Sequence, residues 1–321
     1  MLTALRAQFH VVAESADIGG DRACSVRLLG EDLVLWRGPD GLVVAAPDRC
    51  PHREAPLSLG TVADGCLSCC YHGWTFGAGG RCTLVPSSGP GRPVPPAAHL
   101  TIGTVVERYG LVWVCPGTPC GDVPVIAVDA DPTYRRINTG VELWRTSALR
   151  MTDNFLDIAH FPWVHAGTFG RQEQTEVPPI EVGPLDDGWY GYAYEVQAGN
   201  EAGAVSSGQA AAVVHRAMTT GFHLPLSVRS TIRYDTGLEH VLLLCSTPVD
   251  DDTALFTFVV WRNGDHTVPA EEVIAFDRAI GAEDKVMLER VPGHLPLTAS
   301  GTVSTQADRA SVEWRRRLAA M

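Results

Sequence analysis

The sequence has few charged residues and no surplus of positive ones. Only 19% of its 321 residues are charged, and 37 acidic residues against 25 basic ones give a formal net charge of -12. A chain without a basic surplus is poorly suited to hold a phosphate backbone or an anionic membrane surface. We therefore expect neither nucleic acid nor a membrane as a partner.

Long hydrophobic runs are also missing. The sequence contains no apolar stretch of the length that spans a bilayer, and residues 1–20 carry Arg6, Glu14 and Asp17 where a signal peptide would have an apolar core. We expect a cytoplasmic protein. Because 45% of the residues are hydrophobic, the chain can bury a substantial core, and its length favours two domains over one.

The cysteines lack the pattern of a disulfide framework. Their odd count and irregular spacing argue against paired disulfides in so long a chain. Free thiols and metal ligands fit better. The nine positions are Cys24, Cys50, Cys66, Cys69, Cys70, Cys82, Cys115, Cys120 and Cys245.

The pattern of elements changes along the chain. The first third has short apolar runs separated by turns, such as 33–36 and 42–46 around Pro39-Asp40-Gly41, which predicts a β-hairpin. The second half combines strand patterns with two helical candidates, 148–164 and 269–291. We expect an α+β fold with a domain boundary near residue 120.

The first candidate site consists of two tight Cys/His pairs. Cys50-Pro51-His52 is followed, after sixteen residues, by Cys69-Cys70-Tyr71-His72. Thiolate and imidazole ligands suit zinc or an iron–sulfur cluster, and two His ligands on one iron define a Rieske centre. A structural zinc site is the alternative, although a one-residue Cys-x-His gap differs from the usual zinc-finger spacing.

The second candidate site is the segment from Asp153 to His165, which contains Asp-x2-His-x4-His. On one helix Asp153, Asp157 and His160 would share a face, and Asp157 could accept a hydrogen bond from the His160 ring. His165 would not share that face. Pro162 predicts a bend or helix end between the two histidines, which would let both imidazoles converge.

Two histidines and one carboxylate form the facial triad of non-haem Fe(II) oxygenases, so a carboxylate is needed. In the helical segment 269–291, Asp284 falls on the apolar stripe of Val273, Phe276, Ile280, Met287 and Val291, and a charge facing the core needs a partner such as a metal. Asp277 lies close to the same face and is the second candidate, whereas Glu283 points about 100° away. The alternative is ordinary core or surface histidines, with Asp284 paired to an arginine.

Both motifs resemble those of one family. Cys50-Pro-His52-Arg with Cys69-x-x-His72-Gly-Trp-x-Phe is similar to the cluster-binding signature of Rieske proteins, and Asp-Asn-Phe-Leu-Asp-x2-His-x4-His is similar to the iron-binding motif of Rieske non-haem iron oxygenases. The family commonly has proline where this chain has Cys70. Cys70 is therefore a rival ligand, but Cys69 keeps the two-residue gap to His72.

The resemblance implies a β Rieske domain over 1–120, followed over 121–321 by a helix-grip-like catalytic domain with an antiparallel sheet and helices, assembled as a homotrimer. It implies Asn154 and Asp157 as catalytic residues. Asp157 would link His160 to the partner subunit's His72, or, as the alternative, it would only orient His160. The implied cofactors are a 2Fe-2S cluster and Fe(II). The implied ligands are Cys50, His52, Cys69 and His72 for the cluster, and His160, His165 and Asp284 for the iron.

The resemblance also implies a function. A terminal oxygenase would use O2 and electrons from NAD(P)H, delivered by a separate reductase with or without a ferredoxin, to hydroxylate or O/N-demethylate a small aromatic or natural-product substrate. Three alternatives stay open: a Rieske electron-transfer protein without a working iron site, an arene cis-dihydroxylating dioxygenase, and a zinc-stabilised binding protein. Metal content separates the electron carrier and the zinc protein from an oxygenase.

Overall fold

The computed structural model describes residues 2–89, 92–200, 202–264, 267–298 and 302–321. The chain divides into two compact units, each described by itself. The first comprises Leu2–Val123 and Pro248–Asp250, and the second comprises Pro124–Thr247 and Asp251–Met321. The functional domains 1–120 and 121–321 remain a proposal.

The first unit is mostly β. Its strands form three small antiparallel sheets, in the orders β1-β10-β9, β2-β3-β4 and β5-β6-β7-β8. The elements are α1 (Leu2–Arg6), β1 (His10–Glu14), β2 (Cys24–Leu28), β3 (Glu31–Arg37), β4 (Val43–Pro47), β5 (Thr61–Ala63), β6 (Cys66–Ser68), β7 (Thr75–Phe76), β8 (Cys82–Leu84), β9 (Thr104–Arg108) and β10 (Leu111–Cys115).

The predicted hairpin is confirmed. Strands β3 and β4 pair antiparallel, and the turn between them has Gly41 at a φ of 80°, a conformation that glycine adopts without strain. The Asp40 side chain accepts a hydrogen bond from the Leu42 amide at 3.1 Å. Trp36 of β3 is fully buried in the core that also contains Cys50 and Cys69. The hairpin therefore contributes to the core in which the two cysteines of the first candidate site are buried.

The second unit is built on one large sheet. Its seven strands lie in the order β11-β17-β16-β15-β14-β13-β12, and helices accompany it, which confirms the α+β prediction. The elements are β11 (Tyr134–Trp144), α2 (Ala148–Leu156), α3 (Phe161–Val164), β12 (Gly183–Pro184), β13 (Tyr190–Gly199), α4 (Gly203–Ser206), β14 (Val213–His223), β15 (Ser227–Tyr234), β16 (Glu239–Pro248), β17 (Ala254–Asn263), α5 (Ala270–Leu288) and α6 (Arg309–Ala319). Among the described residues, no helix combines the length and apolarity needed to cross a membrane.

The prediction of one helix over 148–164 is wrong. Helix α2 ends at Leu156, and Asp157 has an extended backbone with ψ of 142°. The Asp157 carboxylate accepts the amides of Ala159 at 2.8 Å and of His160 at 3.2 Å, and such local bonds compete with helix formation. The interruption therefore precedes His160. Pro162 lies within the first turn of α3, where its missing N–H leaves no hydrogen bond unmade.

Helix α5 confirms the second helical prediction. At its C-terminal end, however, its buried face differs from the predicted apolar stripe. Met287 is 49% exposed, and Val291 lies beyond the last helical residue. The residues that are buried follow a spacing of three or four and include two carboxylates. They are Val273, Asp277, Gly281, Asp284 and Leu288.

Candidate metal centres and active-site cavity

Two loops of the first unit carry the Cys/His pairs on the same backbone pattern. One loop follows β4 and the other joins β6 to β7. The carbonyl of Cys50 accepts the Glu54 amide at 2.9 Å, and the carbonyl of Cys69 accepts the Gly73 amide at 3.0 Å. Each cysteine amide donates to the carbonyl five residues later, at 2.9 Å in both loops. Glu54 and Gly73 both have positive φ, 60° and 69°, so the loops are equivalent turns facing one site.

The sulfur donors of this site are buried and adjacent. Cys50 is 2% exposed and Cys69 is 3% exposed, whereas Cys70 lies on the surface. Burial is the main cause that raises the pKa of the Cys50 thiol to about 11, and its contact with the Cys69 thiol adds to the rise. Two such thiols become thiolates when a metal compensates their charge. The geometry favours Cys69 over Cys70 as the partner of Cys50.

The nitrogen donors come from the same loops. The rings of His52 and His72 have centroids 4.5 Å apart, and His52 stacks on Trp74 at 4.5 Å with an interplanar angle of 5°. The Nδ1 atom of His52 is buried, and no described residue forms a hydrogen bond with it. A buried ring nitrogen of this kind needs a ligand. The donor set of two thiols and two imidazoles fits a Rieske-type 2Fe-2S cluster.

The second unit gathers the other predicted ligands. The Nε2 atoms of His160 and His165 lie 3.1 Å apart, and Asp284 Oδ1 lies 3.4 Å from each of them. The three side chains are 12%, 2% and 8% exposed. Their donor atoms all lie within 4.8 Å of one another, a grouping suited to one metal ion. Asp277 is not part of this group.

Two outer carboxylates fix the tautomers of these histidines. Asp157 Oδ2 lies 3.0 Å from Nδ1 of His160, and Glu283 Oε2 lies 2.9 Å from Nδ1 of His165. An ionised carboxylate only accepts, so each Nδ1 carries the proton and donates it. Both Nε2 atoms then face each other and the Asp284 oxygen, and their lone pairs can bind one cation between them. That arrangement fits a metal ion, which would replace the proton on His160 Nε2.

The electrostatics of the site favour a cation. Burial lowers the pKa of His160, but the carboxylates of Asp157 and Asp284 outweigh burial and raise that pKa to about 9. Burial alone would raise the pKa of Asp157, yet its hydrogen bonds from His160 hold it below the usual value. Burial lowers the pKa of His165. Asp157 is thus held in its ionised form, and the pKa of His160 shows that the site attracts positive charge.

Asn154 and Glu283 support the ligands from two sides. The Asn154 amide donates to Asp284 Oδ1 at 3.0 Å, which orients that carboxylate. The prediction that Glu283 points away from the site is wrong, because its longer side chain reaches His165 and also accepts the hydroxyl of Thr168 at 2.9 Å. The sequence signal for Glu283 was its position beside Asp284. No sequence signal indicated Thr168.

Replacing Glu283 with glutamine should weaken iron binding by roughly 10- to 100-fold, the usual effect of losing an outer partner of a metal ligand. The amide would accept less strongly from His165 Nδ1 and would leave its tautomer unfixed. Chelator titration followed by metal analysis measures the change. Glu272→Gln, an exposed position on the same helix, is the control and should bind iron as the unaltered protein does. Equal affinities for both variants would contradict this role.

The three ligand candidates line a cavity. Its other walls are chiefly apolar side chains, including six phenylalanines. Gly281 lines it between Asp277 and Asp284 on α5. An apolar cavity with a few polar groups is the usual form of a small-molecule site. The phenylalanines are Phe155, Phe161, Phe169, Phe256, Phe258 and Phe276.

Asp277 in this cavity should make folding stability depend on pH. Burial raises its pKa from 3.8 to about 7, although Arg262 opposes the rise. A carboxyl whose pKa is raised by folding contributes stability below its unfolded pKa and loses it as pH rises through the folded pKa. The loss between pH 4 and 7 corresponds to at most roughly 4 kcal/mol, because one pKa unit is about 1.4 kcal/mol.

Asp277→Asn removes this titration and should raise the melting temperature relative to the unaltered protein at pH 8, and by about a third as much at pH 5. Thermal unfolding of both proteins at the two pH values measures the difference. Asp131→Asn, an exposed position, should show no such pH-dependent gain. A gain for Asp277→Asn that is the same at both pH values would show that the carboxyl does not titrate in this range.

The chain combines two donor sets that are typical of an oxidoreductase with two iron centres. The β unit carries the paired Cys/His loops, and the α+β unit carries two histidines and one carboxylate. Residues 8–106 match the Rieske [2Fe-2S] domain, and residues 144–321 match the vanillate O-demethylase oxygenase C-terminal domain. The chain belongs to the Rieske non-haem iron oxygenases.

Individual relatives agree with the family. Methylxanthine N1-demethylase NdmA of Pseudomonas putida is 33% identical over 91% of this chain and 80% of its own length. Methylxanthine N3-demethylase NdmB of the same species is 29% identical over 98% of this chain and 88% of its own length. The structure of Pseudomonas putida CBB5 NdmA with caffeine superimposes with a TM-score of 0.86 at 29% identity, covering 99% of this chain and 91% of the other.

The family establishes the chemistry in outline. The chain is an oxidoreductase with a Rieske [2Fe-2S] domain, and its family has a catalytic mononuclear iron site. The predicted fold and enzyme class are confirmed. Because the oxygenase domain matches 144–321, neither an electron carrier without an iron site nor a zinc-stabilised binding protein is favoured.

Proposed function

We propose that this chain is a terminal oxygenase whose two donor sets hold its two iron centres. The observation that carries the proposal is the convergence of two Nε2 atoms and one carboxylate oxygen beside an apolar cavity. When bound, the ferrous ion supplies the site at which O2 is activated with electrons from the cluster. The proposed ligands are Cys50, His52, Cys69 and His72 for the cluster, and His160, His165 and Asp284 for the iron.

The proposed reaction is hydroxylation or O/N-demethylation of a small aromatic substrate. The names of NdmA and NdmB describe N-demethylation of methylxanthines, and the C-terminal family is named after vanillate O-demethylase. The phenylalanine lining suits a flat aromatic ring, which packs well against other aromatic rings. Arene cis-dihydroxylation is the alternative reaction.

Product analysis tests this proposal. The iron-loaded protein is incubated with NADH, a surrogate reductase and either caffeine, theobromine or vanillate under 18O2. Formaldehyde in equal amount to an N- or O-demethylated product supports demethylation, and a single 18O atom in a hydroxylated product supports monooxygenation. Products with two 18O atoms in a cis-diol would establish the dihydroxylation alternative. A protein with three irons per chain that consumes NADH but forms no product from any aromatic compound would overturn the proposal.

The proposed partners follow from the same function. The sequence shows no dinucleotide-binding fingerprint, so electrons from NAD(P)H would arrive through a separate reductase, with or without a ferredoxin. We propose a homotrimer in which Asp157 links His160 to the partner subunit's His72. The Asp157 side chain is 25% exposed, which leaves part of it accessible to a partner. A cytoplasmic location remains a prediction.

Replacing Asp157 with asparagine should slow electron transfer from the cluster to the iron by at least about tenfold, because the variant weakens the hydrogen bond that orients His160. Cluster reduction by dithionite should be unchanged. Stopped-flow absorbance of the reduced cluster after mixing with O2 and substrate measures the rate of reoxidation. Asp131→Asn serves as the exposed control. Unchanged reoxidation in the Asp157 variant would remove this residue from the electron path.

A further inference from the structure

The cavity has a second polar region that the iron ligands do not use. Asp277 lies seven residues before Asp284 on α5, an axial separation of about 10.5 Å. Asp277 is 8% exposed and lines the cavity, and its Oδ2 atom has no hydrogen-bond partner among the described residues. Buried carboxyl oxygens are nearly always hydrogen-bonded in proteins. An unpartnered one facing a cavity indicates a ligand.

A neutral imidazole lines the same region. His240 of β16 is 7% exposed, and within the part of the chain that the structure describes its Nε2 atom also lacks a hydrogen-bond partner. Burial, assisted by the charges of Arg262 and Arg216, lowers the pKa of His240 well below its usual value. The ring of Tyr234 lies 5.4 Å from that of His240, and the Asp277 charge acts on Tyr234 as well. These side chains therefore form one cluster.

A glycine lies on α5 between this cluster and the iron ligand Asp284. Gly281 lies on the buried face of α5 between Asp277 and Asp284, and both it and the two carboxylates line the cavity. A Cβ atom at this position would lie 3.3 Å from the Phe256 ring, a tight contact. The glycine therefore lets the Phe256 ring pack against α5, and Phe256 also lines the cavity. A flat ligand ring can stack on Phe256, with one end at the metal site and the other at Asp277.

The protonation of Asp277 determines what its carboxyl can recognise. Burial raises its pKa to about 7, with Arg262 opposing, so near neutral pH a large part of it is protonated. A protonated carboxyl donates through its hydroxyl and accepts through its carbonyl oxygen. This pair of groups is complementary to a ligand edge in which an N–H lies beside a C=O.

Arg216 offers a different anchor in the same cavity, for an anion. Its guanidinium stacks on the rings of Phe169 at 5.2 Å and of Tyr234 at 5.5 Å. An anionic substrate placed there would be repelled by the ionised fraction of the Asp277 carboxyl, whereas a neutral ligand can pair with that carboxyl in its protonated form. Asp277 thus favours a neutral ligand, and Arg216 an anionic one.

We propose that Asp277 and His240 form the substrate anchor of this oxygenase and select neutral aromatic heterocycles that present an amide- or imide-type N–H beside a carbonyl. The proposal rests on the proposed function, since it assigns the substrate class of the same cavity. Asp277 and His240 bind the polar edge, the ring stacks on Phe256, and the opposite edge of the ring faces the iron ligands. Both are positioning residues.

The test uses two probes that differ in one group. Theobromine has a free imide N–H between two carbonyls, and caffeine has a methyl group there. Calorimetric titration of the anaerobic, iron-loaded protein should show theobromine binding at least about tenfold more tightly than caffeine, since an unpaired buried polar group opposes binding of the N-methylated probe. Equal affinities, or tighter binding of caffeine, would overturn the proposal.

Variants identify the residues. Asp277→Leu and His240→Phe should each bring theobromine affinity down to that of caffeine, whereas Asp277→Asn, which retains a donor and an acceptor, should stay within about threefold of the unaltered protein. Loss of binding in the asparagine variant equal to that in the leucine variant would overturn the anchor. Circular dichroism and iron content confirm that each variant is folded and loaded.

A third probe separates the anchor from the oxygenase function. If vanillate binds more tightly than theobromine and its affinity depends on Arg216 but not on Asp277, the anchor is wrong while the oxygenase proposal survives. If the protein fails to hold iron at His160, His165 and Asp284 at all, the proposed function fails, whatever the xanthines bind. If no probe binds to iron-loaded protein, the assigned substrate class is wrong.

Discussion

Replacing His160 with alanine should abolish turnover and leave the visible spectrum of the iron–sulfur cluster intact. The variant removes one of two imidazoles from the group with Asp284, so the iron content should fall from three to two per chain. Losing even an outer partner of a metal ligand costs 10- to 100-fold, and loss of the ligand itself should exceed about a hundredfold. Iron analysis, the visible spectrum and product formation on the same preparation measure the three quantities.

His215→Ala is the matched control for this variant. His215 belongs to the same unit and also pairs with a carboxylate, Asp235 at 3.0 Å, but it is not part of the metal group. We expect the control to keep three irons and its turnover. Normal turnover in the His160 variant would remove this residue from the iron site.

Replacing Cys69 with alanine should eliminate the cluster, whereas replacing Cys70 should preserve it. Cys69 is buried against Cys50, and Cys70 is exposed on the same loop. The Cys69 variant should lose the visible absorption and two irons per chain. With only three protein ligands left, one iron of the cluster would lack a thiolate ligand. Absorbance and iron analysis after anaerobic reconstitution provide the measurement.

Each cysteine variant is the control for the other, because both remove one sulfur atom and the two residues are neighbours in the sequence. Retention of the mononuclear iron in both would show that the second unit is intact. The reverse result, a cluster in the Cys69 variant and none in the Cys70 variant, would assign Cys70 as the ligand despite the two-residue gap between Cys69 and His72.

Much of the candidate site was predictable because its geometry is local. The cluster candidates lie on two loops whose spacing is visible in the sequence, and His160 and His165 are only five residues apart. Asp284 was predictable because a charged residue on an apolar helical stripe needs a partner. The β-rich first third and the α+β second half followed from the periods of their apolar residues.

The remainder depended on contacts that periodicity does not encode. Helical periodicity predicted Asp157 and His160 on one face of a helix. The helix ends before them, because the Asp157 carboxylate accepts hydrogen bonds from two backbone amides. The same periodicity predicted that Glu283 points away from the metal site. Periodicity gives the direction of a side chain from the helix axis, but not how far a long side chain reaches. Asp277 was considered only as a metal ligand. Its role in the cavity emerges from the tertiary arrangement of α5 and β16.

The equivalence of the two cluster loops has a consequence for redox tuning. Their shape is held by backbone hydrogen bonds and by the positive φ of Glu54 and Gly73. A residue of different charge at position 53 or 71 therefore leaves these backbone bonds in place. Because nearby charge and solvent exposure shift the reduction potential of such clusters, homologues can adjust their driving force to a new electron donor while keeping the same ligand geometry.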